Sequence, residues 1–202
     1  MKIVLASKNR HKLEEIAQIL TPYGIELVLQ SELCPTLEVE ETGSTFEENS
    51  FLKADAVMRA TGLPALADDS GLSVDALDGE PGIYSARYGD DPGLDDKGRY
   101  ELLLRNMEHI PDGERTARFV CVITLVYPNG KSLQVRGEAV GEILRGQIGN
   151  SPFGYDPIFY YPPMEKSFGE MEHYEKNAVS HRANALKLFC EKLNEEKENA
   201  DK

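Results

Sequence analysis

Two adjacent carboxylates, Asp68 and Asp69, stand between an apolar segment and a serine–glycine pair. Carboxylate oxygens are preferred ligands of Mg²⁺, which usually takes one or two of them and completes its shell with water and substrate phosphates. A carboxylate in such a place also activates water as a general base. Because aspartate and serine are common in turns, the same residues also fit a plain Asx turn. We expect them at the end of a strand that covers residues 63–67.

A basic segment lies near the start of the chain, where a short strand leads into a helix. Its members are Ser7, Lys8, Asn9, Arg10, His11 and Lys12. Free backbone N–H groups and the positive end of the helix dipole favour phosphate at such a turn. The Walker A pattern does not occur in the sequence, and a helix capped by Ser7 with solvated lysines has the same composition. The segment is a candidate phosphate site that depends on support from elsewhere.

An aromatic segment with chemistry suited to a planar base follows much later. It consists of Phe153, Gly154, Tyr155 and Asp156. Aromatic faces next to glycine and a carboxylate suit a loop that stacks on a base and exposes backbone groups to the edge of that base. A packed core loop has the same composition.

A second cationic segment precedes and begins the last predicted helix, for which Ser180 is the expected cap. Its charged members are Lys176, His181 and Arg182. A histidine near a helix start is commonly structural, but two neighbouring cations indicate a second site for an anion or a base.

The acidic pair Glu40 and Glu41 lies in a loop just before another predicted helix, which a Thr-x-x-Glu capping box begins. Either glutamate can add a metal ligand to the aspartate pair. Such a pair is more often solvated surface, so its assignment depends on the other segments.

Hydrophobic periodicity predicts the elements that position these segments. A strand–helix–strand unit opens the chain, and an alternating hairpin with its turn at residues 128–130 lies in the middle. The predicted fold is α/β, with a mixed central sheet, flanking helices and two lobes around a substrate cleft. We expect one domain over residues 1–193, followed by a charged tail over residues 194–202.

Composition excludes several classes of protein. The 202 residues are 41% hydrophobic and 28% charged, which is typical of a globular chain. The net charge of −13 argues against polymeric nucleic acid and anionic membranes as partners. No segment has the length of a signal peptide core or a membrane span. The 3 cysteines form no metal or disulfide pattern, which favours a reducing, cytoplasmic location.

Taken together, the segments resemble the inosine triphosphate pyrophosphatases, also called XTP/dITP diphosphatases. The resemblance runs in order along nearly the whole chain. The matching stretches are SKNRHK at 7–12, EETG at 40–43, ADDSGL at 67–72, PGIYSARY at 81–88, FGYDPIF at 153–159 and KNAVSHR at 176–182.

The resemblance implies a homodimeric enzyme that needs Mg²⁺. It would hydrolyse the non-standard purine nucleotides ITP, dITP and XTP to the monophosphate and pyrophosphate, by attack of water on the α phosphorus, and so cleanse the nucleotide pool. Asp69 resembles the catalytic base and a metal ligand, and Glu40 resembles a second metal contact, with Glu41 as the alternative. The residues that resemble substrate contacts are Ser7, Lys8, Asn9, Arg10, His11, Lys12, Ser70, Phe153, Gly154, Tyr155, Asp156, Lys176, His181 and Arg182.

Two other functions fit part of the sequence. A septum-formation-type pyrophosphatase for pyrimidine or modified nucleotides has a similar opening, but it would lack the matches at 153–156 and 176–182. A catalytically silent nucleotide sensor would keep the cations and the aromatic segment, but it has no need of adjacent aspartates.

Overall fold

The structure is a computed structural model that describes residues 1–151 and 153–200, without the side chains of His11, Lys197, Asn199 and Ala200. The strands in this part of the chain are β1 (Lys2–Leu5), β2 (Glu26–Leu29), β3 (Ala65–Val74), β4 (Thr116–Val126), β5 (Ser132–Ile143), β6 (Phe159–Tyr161) and β7 (Lys166–Ser167). The helices are α1 (Arg10–Leu20), α2 (Gln30–Leu33), α3 (Phe46–Thr61), α4 (Asp96–Asn106), α5 (His173–Val179) and α6 (His181–Ala200).

All seven strands form one sheet in the order β2-β1-β3-β4-β5-β6-β7. The pairs β1–β2 and β1–β3 are parallel, whereas β5–β6 and β6–β7 are antiparallel. The parallel pairs arise because α1 and α3 carry the chain back before the next strand begins. This mixed sheet with helices around it confirms the predicted α/β class.

The chain divides into two compact units, and β3, β4 and β5 each contribute to both. The first unit contains residues 1–69, 121–137 and the chain from Asn184 onward, and the second contains residues 70–120 and 138–183. The core of the first unit packs α1 and α6 against the sheet through residues such as Ile16 and Phe189. The core of the second unit is rich in aromatic rings. The predicted substrate cleft stays a prediction.

Helix α1 begins differently from the prediction. The side chain of Asn9 accepts the Lys12 backbone N–H at 3.3 Å, whereas Ser7 Oγ accepts the Asn9 N–H at 3.0 Å. The cap is therefore Asn9, and Ser7 closes a small turn before it. The prediction of Ser7 as the cap was wrong because two good capping residues lie within one turn of each other.

The end of the chain contains one helix more than expected. Lys176 lies on the short helix α5, which the sequence analysis missed. Ser180 ends α5 and then caps α6, because its hydroxyl accepts the Ala183 N–H at 3.2 Å. Helix α6 begins at His181 as predicted and continues to Ala200, beyond the predicted domain end at Leu193. The division into a domain and a tail stays a prediction.

No helix among the described residues has both the length and the apolar composition that a membrane span requires.

Candidate functional site

The aspartate pair lies inside a strand rather than at its end. Strand β3 continues through Asp68, Asp69, Ser70 and Gly71 to Val74 without a break. The prediction that the pair ends a strand over residues 63–67 was wrong, and so was the alternative of an Asx turn. Both aspartates are buried, and the sheet neighbours β1 and β4 occupy the two edges of β3. The strand persists because lysines from other elements neutralise the two carboxylates.

Lys53 of α3 is the central cation of a cluster that also contains Glu41, Asp68 and Asp69. Its ammonium nitrogen lies 2.6 Å from Asp69 Oδ1 and 2.8 Å from Glu41 Oε1, and it donates to the Asp68 carbonyl oxygen at 3.0 Å. Burial alone would lower the pKa of Lys53, but Asp69 and Glu41 together raise it. Lys53 therefore stays charged between the two carboxylates.

Asp69 carries the perturbed carboxylate of the cluster. Burial raises its pKa, and the charge and hydrogen bond of Lys53 oppose this effect without cancelling it. The negative charges of Glu41 and Asp68 raise the pKa further. A carboxylate with increased proton affinity, held in a fixed position by a lysine, has the properties of a general base.

Asp68 serves a different partner. One carboxylate oxygen forms an ion pair with Lys12, and Cys121 Sγ lies 3.3 Å from the other oxygen. The Asp68 side chain is almost completely buried, whereas that of Lys12 is partly exposed. Asp68 therefore holds a lysine of the basic segment at the protein surface. Cys121 is itself buried in the core of the first unit, and its thiol makes this polar contact there.

The remaining residues of the basic segment are mainly exposed. Lys8 pairs with Glu38, and Arg10 Nε lies 3.7 Å from Glu14 Oε1. The side chain of His11 lies outside the described residues.

The acidic loop presents Glu41 to the cluster and leaves Glu40 exposed. The loop is held against α3 because the buried Asn49 accepts the Gly43 N–H at 2.8 Å. A Cβ atom on Gly43 would lie 2.7 Å from Asn49 Oδ1, so only glycine fits this close approach. The arrangement favours Glu41 as the carboxylate that would share a metal ion with Asp69. The assignment of Glu40 as a metal contact stays a prediction.

The aromatic segment and Lys176 form a second cluster, in the second unit. Lys176 forms an ion pair with the buried Asp156, and Ser151 Oγ lies 3.0 Å from the same carboxylate oxygen. The Lys176 nitrogen also lies 5.9 Å from the ring centre of Phe153, a ring that is 40% exposed. Tyr155 is buried and donates to the Ser85 carbonyl oxygen at 2.8 Å. Phe153 therefore offers an accessible ring, and Tyr155 anchors the segment.

His181 is buried in this unit, and its ring stacks on Phe119 with centroids 4.9 Å apart and planes 13° apart. The adjacent Arg182 is half-buried at the start of α6. Ser70 is half-buried and directly follows Asp69 along β3. His181 has a structural role, because its ring packs against Phe119 in the core. Arg182 is the more accessible of the two side chains.

The carboxylates suit a hard metal ion, although they do not form a complete cage. Among residues 1–151 and 153–200, no group of three or more His, Cys, Asp or Glu side chains is arranged to hold a metal. Glu41 and Asp69 already hold one cation, the ammonium group of Lys53, between them. Two carboxylates completed by water and phosphate are a usual set for Mg²⁺.

Lys53 is the residue that sequence analysis missed. A lysine in an amphipathic helix is normally a solvated surface residue, and it was not considered. The available signal was its position on the buried face of α3, four residues after Asn49 and four before Val57. A lysine on such a face requires a buried partner.

The first unit thus has the construction of a phosphate-handling α/β protein, with buried carboxylates that hold Lys12 in the first turn of α1 and Lys53 on α3. Comparison with known proteins gives the family. The model of the Ham1 family matches residues 3–192. The dITP/XTP pyrophosphatase of Desulforamulus reducens is 47% identical over 194 residues, which cover 96% of each chain.

Solved structures agree with this match. The Ham1 protein of Staphylococcus aureus has a TM-score of 0.89 and 41% identity, over 97% of this chain and 100% of that one. The HAM1 protein of Coxiella burnetii has a TM-score of 0.90 and 43% identity, over 96% and 99%. The chain therefore belongs to the Ham1 family, and the resemblance noted in the sequence is confirmed.

Proposed function

We propose that this protein is a nucleoside-triphosphate pyrophosphatase that hydrolyses dITP, XTP and ITP to the monophosphate and pyrophosphate. The observation that carries the proposal is the buried Asp69 carboxylate held by Lys53, beside Asp68 and its ion pair with Lys12. The similarity to the D. reducens dITP/XTP pyrophosphatase over nearly the full length supports the same activity.

Asp69 acts as the general base. Its carboxylate accepts a proton from the water that attacks the α phosphorus, and pyrophosphate leaves. The raised pKa of Asp69 increases its proton affinity, while Lys53 limits that rise and fixes the direction of the carboxylate. Asp68 positions Lys12 and does not accept the proton.

A divalent cation, Mg²⁺ in this proposal, would be held by Asp69 together with Glu40 or Glu41. The donor set fits because carboxylate oxygens suit this ion, and because Glu41 and Asp69 already share a cationic group. Bound there, the ion would polarise the phosphate oxygens and reduce the repulsion between Asp69 and the triphosphate.

We assign the phosphates and the sugar to the basic segment and Lys176, and the base to the second cluster. The basic segment contributes Ser7, Lys8, Asn9, Arg10, His11 and Lys12. The base contacts are Ser70, Phe153, Gly154, Tyr155, Asp156, His181 and Arg182. The accessible ring of Phe153 supplies a stacking face, and the cation of Arg182 supplies a donor to a base oxygen.

We place the enzyme in the cytoplasm as a homodimer, with the nucleotide as its partner and neither nucleic acid polymers nor membranes as ligands. The net charge of −13 argues against nucleic acid polymers and anionic membranes, and 3 cysteines without a metal or disulfide pattern suit a reducing compartment. The homodimer is what the family resemblance implies.

A product assay tests the function. The protein is incubated with Mg²⁺ and ITP, ATP or UTP, and pyrophosphate and orthophosphate are measured separately, with Asp69→Asn as the control. Pyrophosphate from ITP that the control does not release supports the proposal. Pyrophosphate mainly from UTP would indicate a pyrimidine enzyme of the septum-formation type, and nucleotide binding without a product would indicate a sensor.

A further inference from the structure

Helix α4 contacts the segment Phe153–Asp156, here called the aromatic loop, through a side chain that no motif includes. The Asp96 carboxylate accepts the Gly154 backbone N–H at 3.0 Å through its Oδ2 atom. Its Oδ1 atom accepts from Arg99 Nη1 at 2.7 Å. Asp96 lies in the first turn of α4, and Asp95 caps the helix by accepting the Gly98 N–H. The carboxylate of Asp96 is thus held by Arg99 in a direction that meets the loop.

A second contact ties the same helix to the chain that leads into the aromatic loop. The buried Tyr100 donates its hydroxyl to Gln147 Oε1 at 2.7 Å, and Gln147 Nε2 donates to the Gly149 carbonyl oxygen at 3.2 Å. Helix α4 therefore contacts the chain before the aromatic loop, at Gln147, and the tip of the loop, at Gly154. The contact at the tip is the one that depends on Asp96.

The tip of the loop, Phe153 and Gly154, is held both from within the loop and from α4. Gly154 has a φ of +47°, a conformation that side chains disfavour, and its N–H points out of the loop to Asp96. Asp156 and Tyr155 are buried, whereas the Phe153 ring is 40% exposed. The Phe153–Gly154 peptide lies next to that ring. Its carbonyl oxygen accepts the Asp156 N–H at 3.1 Å within the loop, and its N–H donates to Asp96 of α4.

We propose that Asp96 is a positioning residue for base binding, which acts through Gly154 to hold the Phe153 ring ready to stack on the purine. This inference rests on the proposed function. A charged acceptor forms a stronger hydrogen bond with a backbone N–H than a neutral one does, so the carboxylate suits this role. It contacts neither the base nor the phosphates.

The loop can be observed directly because the chain contains no tryptophan. Phe153→Trp creates a single fluorophore at the tip, and its quenching by acrylamide measures the freedom of the ring. Adding Asp96→Ala should increase quenching, while adding Asp96→Asn, which keeps an oxygen acceptor, should largely preserve the original value. Glu101→Ala is the matched control, since this acid of α4 pairs with Lys97 and carries the same charge. Unchanged quenching with Asp96→Ala would overturn the proposal.

Kinetics in the Phe153 background test the consequence for substrate. Asp96→Ala should raise KM for ITP about 3- to 10-fold, the effect of one lost hydrogen bond, and should leave kcat nearly unchanged. Inhibition by inorganic tripolyphosphate, which has no base, should not change. Asp96→Asn and Glu101→Ala should stay close to the parent protein.

The outcomes separate the two proposals. A KM for ITP that stays constant while quenching increases would overturn Asp96 as a positioning residue. Equal losses for ITP and tripolyphosphate would also overturn it, because they indicate a general loss of structure. A parent protein that releases no pyrophosphate from ITP would contradict the proposed function, and the fluorescence comparison would still decide whether Asp96 holds the loop.

Discussion

The ammonium nitrogen of Lys53 lies 2.6 Å from Asp69 Oδ1, so the cluster joins a helix cation to a carboxylate buried in a strand. The two residues lie 16 positions apart in sequence, one on α3 and the other on β3. The charge and hydrogen bond of Lys53 lower the pKa of Asp69 and so oppose the rise that burial causes. Lys53 thereby acts on the protonation of the carboxylate that we propose as the general base.

Lys53→Met should therefore shift the pH dependence of the enzyme. Without the ammonium group the pKa of Asp69 rises further, so the acidic limb of the kcat/KM profile moves to higher pH and activity at neutral pH falls. The measurement is a pH series with ITP. Lys53→Arg keeps the charge and should move the limb less, and Arg59→Ala, an exposed cation of α3, should not move it. If the acidic limb of Lys53→Met lies at the same pH as that of the parent protein, Lys53 does not act on the pKa of Asp69.

The two aspartates should differ in their effect on catalysis. Asp69→Asn should lower kcat about 10²- to 10⁴-fold, because an amide neither accepts the proton nor binds Mg²⁺ well. Asp68→Asn should cost less and act mainly on KM, since Asp68 holds Lys12. Steady-state kinetics with saturating Mg²⁺, on variants shown to be folded, provide the comparison. Equal losses of kcat would indicate that the aspartates share the role of base.

The same Asp69→Asn variant should have a pH-dependent effect on stability. Burial raises the pKa of Asp69 in the folded protein above its ordinary value of 3.8. Below the ordinary pKa, Asp69 is protonated in both the folded and the unfolded chain, so its ionisation costs the fold nothing. As pH rises through the raised pKa, the unfolded chain has already lost its proton and the folded protein is destabilised by ionising the buried carboxyl group. Asparagine avoids that destabilisation. In the presence of a chelator, Tm of the variant minus Tm of the parent should increase from about pH 4 to about pH 7. A constant difference would argue against the raised pKa.

Lys176 should contribute to stability as well as to substrate binding. Lys176→Ala leaves the buried carboxylate of Asp156 without its cation, which should cost roughly 1–3 kcal/mol of the free energy of unfolding. It should also cost roughly 1.5–3 kcal/mol in kcat/KM if the lysine binds a phosphate. Chemical denaturation and kinetics measure the two effects. The double variant with Asp156→Asn should recover stability and not activity, and recovery of both would restrict Lys176 to a structural role.

Local sequence signals predicted much of the fold and part of the site. The Thr-x-x-Glu pattern located the start of α3 at Thr45, because a capping side chain acts within the first turn of a helix. The aspartates of β3 misled the prediction because local turn propensity favours a break there. The lysines that keep β3 extended come from α1 and α3. Such tertiary neutralisation leaves no signal within β3 itself. The position of Lys53 on the buried face of α3 indicates a buried partner but does not identify it.

The choice of base should depend on Arg182. Hypoxanthine and xanthine present an oxygen acceptor at C6, whereas adenine presents an amino donor there. A donor from Arg182 is satisfied by the oxygen and opposed by the amino group, and a site built to bond one group can reject its analogue by about 10⁴-fold. The site should achieve less than this, because Arg182 is only half-buried and water can reach it.

Arg182→Ala should therefore lower the ITP/ATP ratio of kcat/KM by roughly 10- to 100-fold, mainly through a loss on ITP. Lys187→Ala removes an exposed cation from the same helix and should leave the ratio unchanged. GTP shares the C6 oxygen, so its rejection must depend on the C2 amino group, and Arg182→Ala should not improve GTP relative to ITP. If ITP and ATP lose activity equally, Arg182 contacts the phosphates. Base selection would then belong to the backbone of the aromatic loop, where Gly154 already donates its N–H to Asp96.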